Sequence, residues 1–152
     1  MTTDTQNQPH VTKLVVALLD GRRLKGYAFN FTPLLREHFN LFPQDLSLGQ
    51  QGIRVELKDV KAVFFVKDFA GNPAYTEPQP AETNEARQHM EITFTDGEKI
   101  VGKTVGYDSK KIGFFMVPVD PNSNNLRIFI VNKNVSQVRH RFRSISPAFT
   151  RI

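Results

Sequence analysis

Met90–Glu91–Ile92–Thr93–Phe94–Thr95–Asp96–Gly97 restates Leu14–Val15–Val16–Ala17–Leu18–Leu19–Asp20–Gly21, 76 positions earlier in the chain. Each stretch runs on to a second glycine five residues later, Gly26 and Gly102. Phe39–Asp45 then lines up with Phe114–Asp120, and Lys58–Asp59–Val60 with Lys133–Asn134–Val135, both at an offset of 75. A fixed period decides architecture before any single residue does. Alternating apolar positions read as a half-buried strand. Asp–Gly supplies the positive φ of a tight turn. Each copy therefore opens with a β-hairpin.

Working outward, the first copy predicts strands over residues 13–19, 23–31, 39–42, 53–57 and 60–66, with a helical turn possible in the connection at 32–38. The second predicts strands over 90–95, 99–107, 113–117, 126–132 and 135–143. Five short strands without a helix bury their apolar face by bending into a small barrel or by packing on a second sheet. The expected fold is all-β, two tandem five-stranded small barrels. Residues 1–10 are too polar to pack and read as a disordered lead. The repeats occupy 11–70 and 89–146, joined by a Pro/Glu linker at 71–88 that holds three of the nine prolines, and a tail covers 147–152.

The chain has no cysteine, which removes disulfides and thiolate chemistry. Its apolar runs fall far short of the ~18 residues that span a bilayer, and residues 1–10 lack the apolar core of a signal peptide. A cytoplasmic protein without a membrane partner is expected. The four histidines are scattered; His38, in a loop, and His89, just before the first strand of the second copy, read as solvated rather than catalytic. Asp20, Asp96, Asp45 and Asp120 read as turn formers, and no glycine loop leads into a lysine and a helix. No catalytic residue, metal or cofactor is expected, so binding rather than catalysis is the functional expectation.

The net charge of +5 is local. Lys133, Arg139, Arg141, Arg143 and Arg151 stand in the last twenty residues with no acid among them, which leaves residues 1–132 neutral. Strand periodicity sets Val138, His140 and Phe142 on one face and Arg139, Arg141 and Arg143 on the other. Guanidinium groups two residues apart, roughly 6.5–7 Å, suit a phosphate backbone and pair with it bidentately. Lys133, Arg139, Arg141 and Arg143 are thus candidate nucleic-acid or anion ligands. The competing reading is an edge strand guarded by charge. In the first copy Phe64 and Val66 hold the places of Arg139 and Arg141, so that strand is apolar on both faces and must be covered on both. The other repeat, the aromatic start of the linker at Phe69, or another subunit could provide the cover. Phe64, Val66 and Phe69 are the candidate interface residues.

The two glycines, the alternating Val15, Leu18, Ile92 and Phe94, and Asn40–Leu41 at the third strand resemble the Sm/LSm small-barrel family. The second copy has Phe115–Met116 in place of the Asn–Leu pair, and the glycine of that family's second motif is missing. Generic SH3-like barrels share these short motifs, and the arrangement is also similar to a two-repeat bacterial family of no established activity. The resemblance implies RNA as a partner and ring-like self-association of fourth with fifth strands. A protein-interaction adaptor using the apolar strand is the alternative. Arg139 and Arg143 also look like half of the PilZ cyclic-dinucleotide signature. Asp108–Ser109–Lys110–Lys111–Ile112–Gly113 holds the types of the other half at the wrong spacing and in the wrong order.

Overall fold

The computed structural model describes residues 11–44, 51–71, 74 and 89–141. The predicted lead at 1–10, the tail at 147–152, Arg143, and all of the 71–88 linker except Gly71 and Ala74 lie outside the described residues. The described chain is all-β: β1 Val11–Leu18, β2 Arg23–Phe29, β3 His38–Pro43, β4 Ile53–Glu56, β5 Val60–Val66, β6 His89–Phe94, β7 Lys99–Val105, β8 Gly113–Val117, β9 Asn125–Val131 and β10 Val135–Arg141. Two short 3-10 turns, Leu57–Asp59 and Asn132–Asn134, precede β5 and β10. The expected helical turn after β2 is a single one, in which the Thr32 carbonyl accepts from the Leu35 and Arg36 amides.

All ten strands join one open antiparallel sheet in the order β10-β6-β7-β8-β9-β5-β1-β2-β3-β4. Each half thus runs fifth, first, second, third, fourth, and the halves meet where β5 pairs with β9. The expectation was of two barrels; the ladder is continuous from one half into the other.

Hydrogen bonds recur between the halves. The Leu18 amide donates to the Arg22 carbonyl and Phe94 to Glu98; Leu57 donates to Glu37 and Asn132 to Ile112. Leu19 donates to Asp59 and Thr95 to Asn134. β2 ends at Phe29 and β7 at Val105, both short of expectation. The next residues, Asn30 (φ 55) and Gly106 (φ 73), are left-handed and turn the chain out of the ladder.

Gly26 and Gly102 are required by close approach. A Cβ on Gly26 would stand 2.1 Å from the Phe42 carbonyl oxygen, and one on Gly102 2.6 Å from that of Val117. Backbone cannot yield as a flexible side chain does. Gly26→Ala and Gly102→Ala should each cost about 1–3 kcal/mol, read as a lower urea midpoint at unchanged slope. Unchanged midpoints would show that β2–β3 and β7–β8 tolerate a wider spacing.

Two apolar cores lie on opposite faces of the sheet, and each draws on both halves. Leu14, Val16, Phe39, Leu41 and Phe65 of the first half enclose Phe129 and Val131 of β9. Met90, Ile92, Phe94, Phe114 and Met116 of the second enclose Val15, Ala17, Phe64 and Val66. Strands β1 and β5 are apolar at successive positions because odd and even residues feed different cores.

A bulge occurs at the same place in each fifth strand. Ala17 pairs with Ala62 and Leu18 with Val60, which leaves Lys61 as the extra residue. Phe94 pairs with Val135 and Thr93 with Gln137, which leaves Ser136. A bulge re-aims its side chain. Lys61 reaches the β6–β7 hairpin, donating to Asp96 at 2.9 Å and to Glu98, and its ammonium lies 5.2 Å from the Phe94 ring. Ser136 instead donates to the Thr93 and Phe94 carbonyls of its own half.

Candidate nucleic-acid interface

β10 pairs on one side with β6, setting Val138 opposite Ile92, Arg139 opposite Glu91 and Arg141 opposite His89. Val138 packs on the second core, while Arg139 and His140 are exposed. Arg141 is the last residue of the strand, so the structure brings Arg139 and Arg141 onto one edge strand. The expectation that His89 is solvated is corrected: it opens β6 and is 2% exposed. His38 likewise opens β3 rather than lying in a loop, and it is half-buried.

Lys133 lies at the opposite end of β10, roughly 20 Å from Arg141 at strand rise. The 3-10 turn that carries it is held by Asn132, whose Nδ2 donates to the Asp108 and Lys111 carbonyls, both at 2.9 Å. Buried Asn134 donates to the Val60 carbonyl of the other half at 2.7 Å. These bonds bring Lys133 into a cleft of about 380 Å³ with Lys58, Lys111, Ser109 and Glu37. All three lysines are exposed. Lys58 and Lys133 occupy equivalent places in the two 3-10 turns, which become neighbours because β5 begins where β9 ends. Sequence reasoning named Lys133 and missed Lys58 and Lys111. The matched triplets Lys58–Asp59–Val60 and Lys133–Asn134–Val135 carried the signal for Lys58. Nothing local marked Lys111.

Phe64 and Val66 belong to the second core and Phe69 packs against it, so the described chain itself covers the second face of β5. All three line a larger cleft of about 550 Å³ at the junction of the halves. Arg23 lies over the Phe64 ring at 5.4 Å and reaches Glu98 at 3.9 Å. Lys25 donates to the Phe69 carbonyl at 2.9 Å, and Tyr27 meets the Phe69 ring edge-on at 5.3 Å. On the other core, Arg127 is held between the rings of Phe65 and Phe115 at 4.2 and 4.4 Å, and burial pulls its pKa down. It remains a cation at any ordinary pH.

Among the described residues no helix is long and apolar enough to cross a membrane. Residues 11–140, from the start of the first strand to the penultimate residue of the arginine strand, match the profile of the family of unknown function DUF6982. The chain belongs to the DUF6982 family. No curated protein and no solved structure matched it. The DUF6982 match takes in both halves of the sheet, the lysine cleft and Arg139, and it ends one residue before Arg141.

Proposed function

We propose that the protein is a non-catalytic RNA-binding protein, built by internal duplication of a small Sm-like barrel. The observation that carries this reading is the convergence of Lys58, Lys111 and Lys133 in one cleft at the end of the sheet where β10 begins. From there Arg139 and Arg141 continue the positive charge along the edge strand. The track of roughly 20 Å suits three or four nucleotides of a single strand, at about 6–7 Å per phosphate. Charge of this kind fixes a backbone without reading its sequence. The fifth-first-second-third-fourth order of each half supports the duplicated barrel. The adaptor alternative loses the face of β5 to internal packing, which leaves the sheet edges for a protein partner.

Anisotropy titration of a single-stranded RNA oligonucleotide tests the reading. Affinity should fall steeply with salt. Lys58→Ala/Lys111→Ala/Lys133→Ala should weaken binding about 10–100-fold and flatten the log–log salt slope by about 2, near 0.7 per lost phosphate contact. Arg139→Ser/Arg141→Ser should flatten it by about 1.4 on the same scale. RNA binding that is unchanged in both variants, or absent at about 50 mM salt, rejects the reading. Heat on titrating a cyclic dinucleotide with none on titrating RNA would favour the PilZ-like alternative instead.

A further inference from the structure

β2 places two cations on the face that β1 makes apolar. Arg23 pairs with Ala17 and Lys25 with Val15, so they share the face that Val15 and Ala17 turn to the second core. That apolar surface ends in charge at the cleft of about 550 Å³ between the halves, which Arg23, Lys25, Phe64, Phe69, Ile100 and Ile128 help to line. We propose that this cleft binds a small amphipathic anion: an aliphatic monocarboxylic acid, its carboxylate between Arg23 and Lys25 and its tail on Phe64, Ile100 and Ile128. The inference is independent of the RNA reading, because this cleft shares no lining residue with the lysine cleft.

The donors for the carboxylate are already positioned. The Arg23 guanidinium lies over the Phe64 ring at 5.4 Å and stands 3.9 Å from Glu98, beyond the reach of about 3.2 Å of an N–H···O bond. Glu98 instead accepts from Lys61. Lys25 uses one of its three ammonium donors on the Phe69 carbonyl at 2.9 Å, which leaves two. Two positions apart on one strand face, Arg23 and Lys25 are separated by roughly 6.5–7 Å. One carboxylate fits that gap, with a bidentate bond to the guanidinium and a single bond to the ammonium. The wall at Phe69 is held as well. The Lys67 amide donates to the Asn124 carbonyl at 2.8 Å and the Asp68 amide to Asn124 Oδ1 at 3.1 Å. Asn124 Nδ2 donates back to the Asp68 carbonyl at 2.9 Å. A site fixed before its ligand arrives loses little to ordering.

Charge and chemistry select the ligand. Arg23, Lys25 and Lys99 line the cleft with Glu91 and Glu98, which leaves one positive charge in excess. A monocarboxylate neutralises it, whereas a phosphate dianion or a cyclic dinucleotide would overfill it with negative charge. Phe64, Val66, Ile100 and Ile128 offer no polar side-chain atom, so a polar body would be desolvated there without compensation and the tail must be apolar. The volume lies within the range of about 300–1,000 Å³ that small-molecule sites occupy.

Calorimetric titration with decanoate, kept below its micellar concentration, tests the site. Binding should saturate, and affinity should rise about threefold to fourfold per methylene from octanoate to dodecanoate. Decanol, which lacks the anion, should bind at least about tenfold more weakly. Arg23→Gln/Lys25→Gln, at two exposed positions, should weaken decanoate about 10–100-fold and leave decanol and RNA binding unchanged. Lys58→Ala/Lys111→Ala/Lys133→Ala should keep wild-type decanoate affinity, so the failure of either reading leaves the other standing. In methyl NMR spectra the shifts caused by decanoate should fall on Val66, Ile100 and Ile128. No heat with decanoate, decanol binding as tightly as decanoate, affinity indifferent to Arg23→Gln/Lys25→Gln or lost with the three lysines, or shifts confined to other methyls overturns the proposal.

Discussion

Phe129→Ala will lower stability by about 3–5 kcal/mol and the melting temperature by about 10 °C, and the half that does not contain Phe129 will feel the loss. Phe129 belongs to β9, yet it is fully buried in the core of the first half. Its ring meets Phe31 at 6.1 Å and Phe115 at 5.0 Å. Truncation removes its transfer free energy and leaves a cavity between strands of both halves, which cannot collapse without moving the β5–β9 seam. Phe64→Ala makes the reciprocal lesion, since Phe64 of β5 fills the core of the second half. Because each core needs residues from the other half, unfolding should stay a single cooperative transition. Calorimetry reads the transition, and amide exchange should show β2 and β7 losing protection together. Two separate transitions, or protection lost in one half only, would sink the shared-core account.

That interlocking marks the limit of what the sequence could tell. Strand existence and order along the chain were legible because the period-2 pattern, the Asp–Gly turns and the repeat reinforce one another. β5 and β8 fall on the expected residues, Val60–Val66 and Gly113–Val117. The double apolarity of β5 was legible too, as a demand for cover on both faces. Which body supplied the cover was not, because the repeat describes a half and says nothing of how halves meet. Continuity of the sheet depends on β5 lying beside β9, a contact between residues such as Ala62 and Ile130 that stand far apart in the chain. Strand ends were missed where a single left-handed residue, Asn30 or Gly106, decides them.

For the candidate site, legibility followed dimensionality. The arginine edge is a one-dimensional feature, and alternation alone placed Arg139 and Arg141 on one strand. The lysine cleft is three-dimensional. It draws Lys58 from before β5, Lys111 from before β8 and Lys133 from before β10. Comparison of the copies contained part of the answer: Asp59 of the first turn becomes Asn134 in the second, which removes a carboxylate beside Lys133 and supplies the amide that binds Val60.

Asp96→Asn/Glu98→Gln should destabilise the protein more than Lys61→Met does. The side chain of Lys61 is 9% exposed, whereas those of Asp96 and Glu98 remain 49% and 40% exposed. Neutralising both carboxylates strands a cation among apolar groups over Phe94. The fully buried case costs about 3–5 kcal/mol; solvent at the carboxylates reduces this to about 2 kcal/mol. Lys61→Met removes the charge with its desolvation cost and keeps a stem of similar shape, for about 1 kcal/mol or less. The pair also sets a pH dependence. The Glu98 amide, and then Lys61, hold the Asp96 carboxyl below its ordinary 3.8. Its stabilisation is present above about pH 4 and is lost as pH falls through the lowered value. Burial alone would lower Lys61, but hydrogen bonds to Glu98 and Asp96 outweigh it and raise the ammonium above 10.5. That contribution is full below about pH 10 and disappears as pH rises through the raised value. Urea melts from about pH 3 to pH 7 should show the wild type losing more stability on acidification than the double variant, which has no carboxylate left here to protonate. Lys61→Met proving the more damaging change would mean that the ion pair itself, rather than relief of a buried charge, holds the two halves at this hairpin.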